Sequence, residues 1–535
     1  MPAKLNSPVS APRRSSRAEV SGARTAERAR GDSEVVERAL FWMFVAGLAW
    51  APYWYGGNDY FAWGVNAVLF CGLVVIYEVA VVVQGKSHPV GIKEVWISAA
   101  LFAAVVLWII VQNATWTPTS WHHPIWALTS DALNRPIEGS ISVNRNLTTV
   151  ALVRLITSAS VFWLALQLCR DGTRAKRLMA AIVVIVCGYS AYGIIAVALN
   201  AKLVHWMGTT WSLGAVNSTF VNRTHFGTYA GIGLVVVCGL ILKLYRSDLT
   251  TRGGSLRFRI ASIIEASAQQ GAILIGAAFL IFVALLGSAS RGAILSTGLG
   301  LLVLAVLLLG GRDRGFIGRR EILIFVGLLG VVVFLAFGDM FVGRMTEGGL
   351  SDDRRLAVYA IVLRSIFDAP LLGYGYGTFI DVFPMFRDRS ISIEGALDQA
   401  HNTYLEVFQD LGLVFGLALV ACVILLVIKC FKGTNVRREG VMVPAVATGV
   451  AFLVGVHALA DFSLQIQAVT LIFAAILGAG AAQAKNSWQI VSDRLQQGPL
   501  VSNPEVGSQR PKVLRATSGL PHSPSPTMKR GNWQP

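Results

Sequence analysis

Apolar residues run in blocks from Ala39 to Ala484, divided by short polar breaks. Each block is about 17 to 23 residues long, the length an α-helix needs to cross the hydrocarbon core of a bilayer. The pattern predicts an all-α, polytopic membrane protein with about twelve transmembrane helices, at 39–55, 61–83, 94–112, 147–169, 178–199, 225–244, 271–288, 293–310, 322–338, 411–429, 441–459 and 467–484. Only Ala289-Ser290-Arg291-Gly292 divides the seventh block from the eighth, and an arginine there predicts a turn rather than one long helix. One break is much larger than the rest. Residues 339–410, between the ninth and tenth helices, form a polar loop on one side of the membrane.

Composition agrees with this class, since 54% of residues are hydrophobic and 14% are charged. The net charge of +16 gains meaning from its placement. Basic residues flanking spans are retained on the cytoplasmic side, and their alternation along the chain predicts that both termini lie inside. The segments then facing outward hold 11 of the 46 lysines and arginines, six of them in the long loop. The charge is therefore chiefly topological, and nucleic-acid binding is a poor reading of it. Residues 1–38 and 485–535 lack an apolar core and read as disordered cytoplasmic tails around a transmembrane unit at 39–484. Neither a cleavable signal pattern nor a metal-ligand spacing of the six cysteines is present, and no outward loop pairs two cysteines.

Candidate chemistry gathers between Arg344 and Gly416. Asp352-Asp353-Arg354-Arg355 precedes the amphipathic run 356–364, where the two aspartates suit the positive end of a helix. Arginines at a helix start oppose that dipole, which makes Arg354 and Arg355 candidates for binding an anion as well as for pairing with the aspartates. Pro370-Leu371-Leu372-Gly373-Tyr374-Gly375-Tyr376-Gly377 supplies glycines for close backbone approach and positive φ. No strand precedes them, so a dinucleotide loop is a weak reading. Asp398 is placed to cap a helix running through Leu405 and Phe408, with His401 in its first turn. The helix dipole there disfavours an imidazolium and leaves a neutral ring able to accept a proton. Arg291 and Arg223 read either as headgroup-level anchors or as anion-gripping residues. His457 and Asp461, four apart, form a second polar pair suited to lining a cavity.

These residues carry a resemblance. In order along the chain, Ser290-Arg291-Gly292-Ala293, Asp353-Arg354-Arg355, Pro370-Leu371-Leu372-Gly373-Tyr374-Gly375, the His401 segment and His457-Ala458-Leu459-Ala460-Asp461-Phe462-Ser463-Leu464-Gln465 resemble the bacterial O-antigen ligase and O-antigen polymerase superfamily. The resemblance covers roughly residues 40 to 484. His401-Asn402 followed, after nine intervening residues, by Gly412 fits the ligase spacing, whereas Gly416 stands four residues after Gly412 where ligases have three. Val358 and Tyr359 stand four positions after Arg354 and Arg355, where ligases carry leucine.

The resemblance implies an inner-membrane transferase with its site on the periplasmic face, taking a glycan from an undecaprenyl-diphosphate carrier. It implies His401 as base and Arg291, Arg354, Arg355 and Arg223 as diphosphate ligands, with Asn402, His457 and Asp461 in support. It further implies inversion at the anomeric carbon, no metal and no cofactor. The expected partners are the lipid-linked donor, membrane lipids, and either lipid A core or a growing polysaccharide as acceptor, met by outward loops such as 113–146 with Trp116, Trp121 and Trp126. A secondary transporter of a small solute is the competing reading, because Arg154 within 147–169 is an intramembrane charge. The two halves of the chain show no convincing repeat, and the polar residues concentrate in one loop.

Overall fold

The computed structural model describes residues 17–199, 214–251, 271–309, 352–391, 397–436 and 440–485. Among these residues there are fourteen α-helices and no strand. They are α1 (Arg17–Trp50), α2 (Tyr60–Val83), α3 (Trp96–Asn113), α4 (Ile125–Ala132), α5 (Arg145–Leu168), α6 (Gly172–Ala198), α7 (Arg223–Thr251), α8 (Ala272–Gly287), α9 (Arg291–Leu309), α10 (Asp352–Asp368), α11 (Phe379–Phe386), α12 (Thr403–Val436), α13 (Met442–His457) and α14 (Gln467–Ala482). Seven of them are long and apolar enough to cross a membrane: α2, α3, α5, α6, α7, α9 and α12. Helices α8, α13 and α14 are apolar but shorter, at 16 residues each. The chain is an all-helical, multi-pass membrane protein.

Helix starts follow from local chemistry. Side-chain oxygens of Asp59, Asn144 and Asp171 accept from the first free backbone N–H groups of α2, α5 and α6, satisfying donors that have no partner within the helix. The division between the seventh and eighth apolar blocks holds. Helix α8 ends at Gly287, Ala289 takes φ 50°, and α9 starts at Arg291. Helix α1 runs back to Arg17, into the stretch read from sequence as a tail. The expected span 322–338, residues 339–351 and 392–396 of the long loop, and residues 486–535 lie outside the described residues.

Helix packing uses small residues, which let backbones touch where lipid offers no hydrophobic drive for association. A Cβ on Gly300 of α9 would lie 2.8 Å from the Gly449 carbonyl of α13, and one on Gly449 would lie 2.8 Å from the Gly300 carbonyl. Helix α14 is buried against α5 and α13, and α3 lies against α12. This packing sorts the connections to two ends. Turns at 51–59, 214–222, 288–290, 369–378 and 397–402 meet the segment 458–466 at one end. Residues 84–95, 169–171 and 483–485 meet at the other.

Candidate active site

His401 sits where the sequence placed the chemistry, but its backbone differs from the expectation. Asn402, not Asp398, caps the helix: its Oδ1 accepts from the N–H groups of Tyr404 and Leu405, and α12 begins at Thr403. His401 therefore stands just before the helix and takes φ 53°, a left-handed conformation rare outside glycine. Neighbouring contacts hold it there. The Tyr359 hydroxyl of α10 donates to the His401 carbonyl at 3.0 Å, the Asn402 amide donates to the Leu459 carbonyl at 2.9 Å, and the Thr403 N–H donates to the Ala458 carbonyl at 2.9 Å. The sequence places Asn402 correctly as a supporting residue but misses the cap, because Asp398 and Asn402 are equally good capping types four residues apart.

The His401 ring is half-buried against the Phe462 ring, centroid to centroid 4.9 Å at 77°. Burial lowers the imidazole pKa first, and the nearby Arg355 guanidinium lowers it further, against a smaller opposing effect of Asp398. Both main causes disfavour the cation, so the ring is neutral at pH 7. The leading causes are desolvation and an arginine, where the sequence suggested the helix dipole.

Phe462 also meets His225 of α7, at 4.4 Å and 74°. His225 and His457 flank Asp461, whose Oδ2 lies 3.7 Å from His225 Nε2 and 3.6 Å from His457 Nδ1. His457 ends α13, so the pair with Asp461 is made by the turn after the helix rather than along one helical face. The Thr228 hydroxyl lies within hydrogen-bond reach of the Thr224 carbonyl, of His457 Nδ1 at 3.0 Å and of the Ser463 hydroxyl at 3.1 Å, and the Ser463 hydroxyl donates to Asp461 Oδ2. His457 Nε2 faces α9, where a Cβ on Gly292 would lie only 3.0 Å from it. Burial pushes the Asp461 carboxyl up to about 6, while the hydrogen bonds around Ser463 and the charge of Arg355 pull it down.

Of the four arginines expected to bind an anion, Arg355 acts electrostatically on this cluster, through His401, His457 and Asp461. Its buried Nε atom has no hydrogen-bond partner. Arg291 opens α9 beside Gly292, and Arg223 opens α7 two residues before His225, so both enter from helix starts at the same end. The Arg354 side chain lies outside the described residues. Sequence reasoning gave no role to His225, Phe462, Thr228 or Ser463, although Phe462 and Ser463 lie in the motif that begins at His457. His225 was visible as a histidine beside Arg223 at a helix start, whereas an apolar ring such as Phe462 carries no chemical signal of its own.

The glycine run is a clasp. Gly373 and Gly375 (φ 64° and 103°) press onto the start of α12, with the Gly375 N–H donating to the Asp410 carbonyl at 3.1 Å and the Tyr374 N–H to the Gln409 carbonyl at 3.2 Å. The Gly377 N–H donates to the Asp410 carboxylate at 2.7 Å. In return α12 kinks at Gly412 (φ 74°), where a Cβ would strike the Leu371 carbonyl at 2.5 Å. Position 415, where the ligase spacing has glycine, holds Phe415, stacked on Trp108 at 4.6 Å.

Residues 276–421 match the family model described as O-antigen ligase. This segment belongs to the O-antigen ligase and polymerase superfamily. The ligase domain so matched holds Arg291, Arg354, Arg355, His401 and Asn402, and the structure adds His225, His457 and Asp461 from outside it. No curated protein matches the chain. The match over residues 276–421 indicates a ligase or glycosyltransferase type of activity on lipid-linked glycan and polysaccharide substrates in general.

Proposed function

We propose that this protein moves a saccharide from undecaprenyl diphosphate to an acceptor hydroxyl at the periplasmic face of the bacterial inner membrane, in O-antigen ligation or polysaccharide polymerisation. The observation that carries this reading is a neutral, half-buried His401 held beside Arg355 within the ligase domain. In this mechanism His401 accepts the proton of an acceptor sugar hydroxyl, whose oxygen attacks the anomeric carbon from the face opposite the diphosphate. The bond from that carbon to the diphosphate oxygen breaks, the leaving diphosphate takes the electron pair, and the anomeric centre inverts. Arg355, with Arg291, Arg223 and Arg354 supplying further positive charge, binds the diphosphate and stabilises the charge it gains. Cationic side chains suffice for that neutralisation, which makes the reaction metal-independent and free of cofactors. The acceptor is lipid A core or a growing polysaccharide, reaching the site past the outward segment 113–146, on which Trp116 and Trp121 are exposed.

The same reading orients the molecule with both termini cytoplasmic and the His401 end outside. The alternation of basic residues supports that direction, as does the sorting of the turns to two ends.

The test is transfer by purified, reconstituted protein from a lipid-linked donor to a defined acceptor. His401→Ala is expected to reduce the rate roughly 10²- to 10⁴-fold, the usual range for a lost general base. Full activity of that variant ends the base assignment.

A further inference from the structure

Two buried groups, Glu406 and Arg154, are left without a role by the proposed chemistry. Glu406 lies one turn into α12 and is 5% exposed. Its Oε2 accepts from the Ala400 N–H at 3.0 Å, the amide immediately before His401. The Gln465 side-chain amide also hydrogen-bonds the Glu406 carboxylate, and Gln465 Oε1 in turn accepts from the Thr403 hydroxyl at 3.1 Å. Arg154, deep in α5, reaches the same place. Its guanidinium donates to the Gln465 carbonyl, stands over the Trp63 ring at 4.1 Å, and is close enough to Glu406 to interact with it electrostatically.

We infer that Glu406 is a positioning residue that sets the backbone before His401, and that Arg154 anchors the Gln465 segment against which Glu406 is held. A non-glycine residue keeps a left-handed φ only when its surroundings over-determine it. At His401 the carbonyl is fixed by Tyr359, the following residues by Asn402 and Thr403, and the preceding amide by Glu406 alone among the described contacts. The ring direction depends on all three. Arg154 thereby acquires a role as a brace across α5 and the 458–466 segment, which does not require a translocation path. Glu406 does not touch the reacting atoms in this scheme. Its effect passes through the Ala400 N–H, so what it must supply is an acceptor oxygen.

This inference rests on the proposed role of His401, and its test separates the two. Glu406→Gln keeps an acceptor oxygen and Glu406→Ala removes it. In the reconstituted transfer assay, Glu406→Ala is expected to lower kcat about 10- to 100-fold with little change in acceptor KM, as a misplaced catalytic group does, and Glu406→Gln to recover most of the rate. Hydrogen–deuterium exchange over residues 397–402 gives a readout independent of activity. Exchange at the Ala400 amide accelerates in Glu406→Ala and stays slow in Glu406→Gln. Wild-type kcat and slow exchange in Glu406→Ala overturn the inference, and so does an equal loss in both variants, which would make the charge rather than the acceptor the working feature. If His401→Ala is inactive while Glu406→Ala is fully active, only the positioning role fails. If His401→Ala is active, the base reading fails, and the exchange data still decide what Glu406 does to the backbone.

Discussion

The two ends of the helix bundle carry their polar groups in opposite ways. At the end distant from His401, three glutamates meet basic side chains directly, although Lys176 and Lys243 lie beside each other. Glu37 pairs with Arg174 at 2.6 Å and with Lys86 at 3.6 Å, Glu78 meets His88 at 2.7 Å, and Glu94 receives Lys429 at 3.6 Å as well as Lys485. These side chains are partly solvated, and pairs of that kind contribute little to stability. At the His401 end the polar groups are buried and linked in series, from Thr224 through Thr228 to His457, and from Ser463 to Asp461. Arg355 there lies near two imidazoles as well as a carboxylate, and its Nε has no hydrogen-bond partner. The described far-end pairs set each acid against a base, while at the His401 end the Arg355 guanidinium lies among imidazoles as well as a carboxylate. Placing charge in both is expected of a membrane protein, but it is the second arrangement that the proposed function uses to bind a diphosphate.

The sharpest break between the ends is an arginine deletion at each. Arg355→Ala is expected to lower transfer efficiency roughly 100-fold or more, the scale for losing a group that stabilises developing charge. Arg174→Ala at the far end is expected to leave transfer unchanged. Equal losses in the two variants, measured on the same donor, would erase the distinction drawn between the ends.

A pH profile sharpens it further. In the proposed mechanism the neutral form of His401 is the reactive one, and its pKa lies below the ordinary 6.5, so the rate is expected to be present at neutral pH and to fall as pH drops through a midpoint under 6.5. Asp461, held up at about 6, ionises over the same interval. Arg355 lowers both groups, and removing its charge raises both. The acid limb of Arg355→Ala should therefore move to higher pH, and that of Arg174→Ala should stay with the wild type. A wild-type limb in Arg355→Ala would place the guanidinium too far from the ring to matter.

Much of this arrangement was legible in the chain, and the illegible part has a physical reason. Long apolar blocks announce helices, so the turn between α8 and α9 and the amphipathic helix after Asp353 were readable. His401, Arg355, His457 and Asp461 were readable because charged or imidazole side chains are rare in such a sequence. What failed was local backbone detail. Asp398 and Asn402 compete for one cap, and the winner depends on Leu459 and Ala458, more than fifty residues away. Phe462 and Gln465 stood in the motif that begins at His457, but their roles were not readable for the same reason, since these come from what the fold packs against them.

The glycine clasp predicts a stability effect confined to the His401 end. Gly412 has φ 74°, and a Cβ there would approach the Leu371 carbonyl to 2.5 Å. Gly412→Ala must therefore bear a positive φ and displace backbone rather than a flexible side chain. A cost of roughly 2 kcal/mol or more is expected from the conformation and the collision together, seen as a lower melting temperature in detergent. Unchanged melting would mean that the kink relaxes freely and that the clasp does not position α12.

The smallest effect belongs to the far end. Glu37 serves both Arg174 and Lys86, and Glu37→Gln removes its charge with little change in shape. Because all three side chains are partly exposed, the expected change is at most about 1 kcal/mol, and it should shrink as salt is added. Transfer activity should not move. A larger loss that persists in high salt would show that this network is buried in the membrane-bound protein, and the contrast between a solvated, ion-paired end and a buried, hydrogen-bonded one would have to be redrawn.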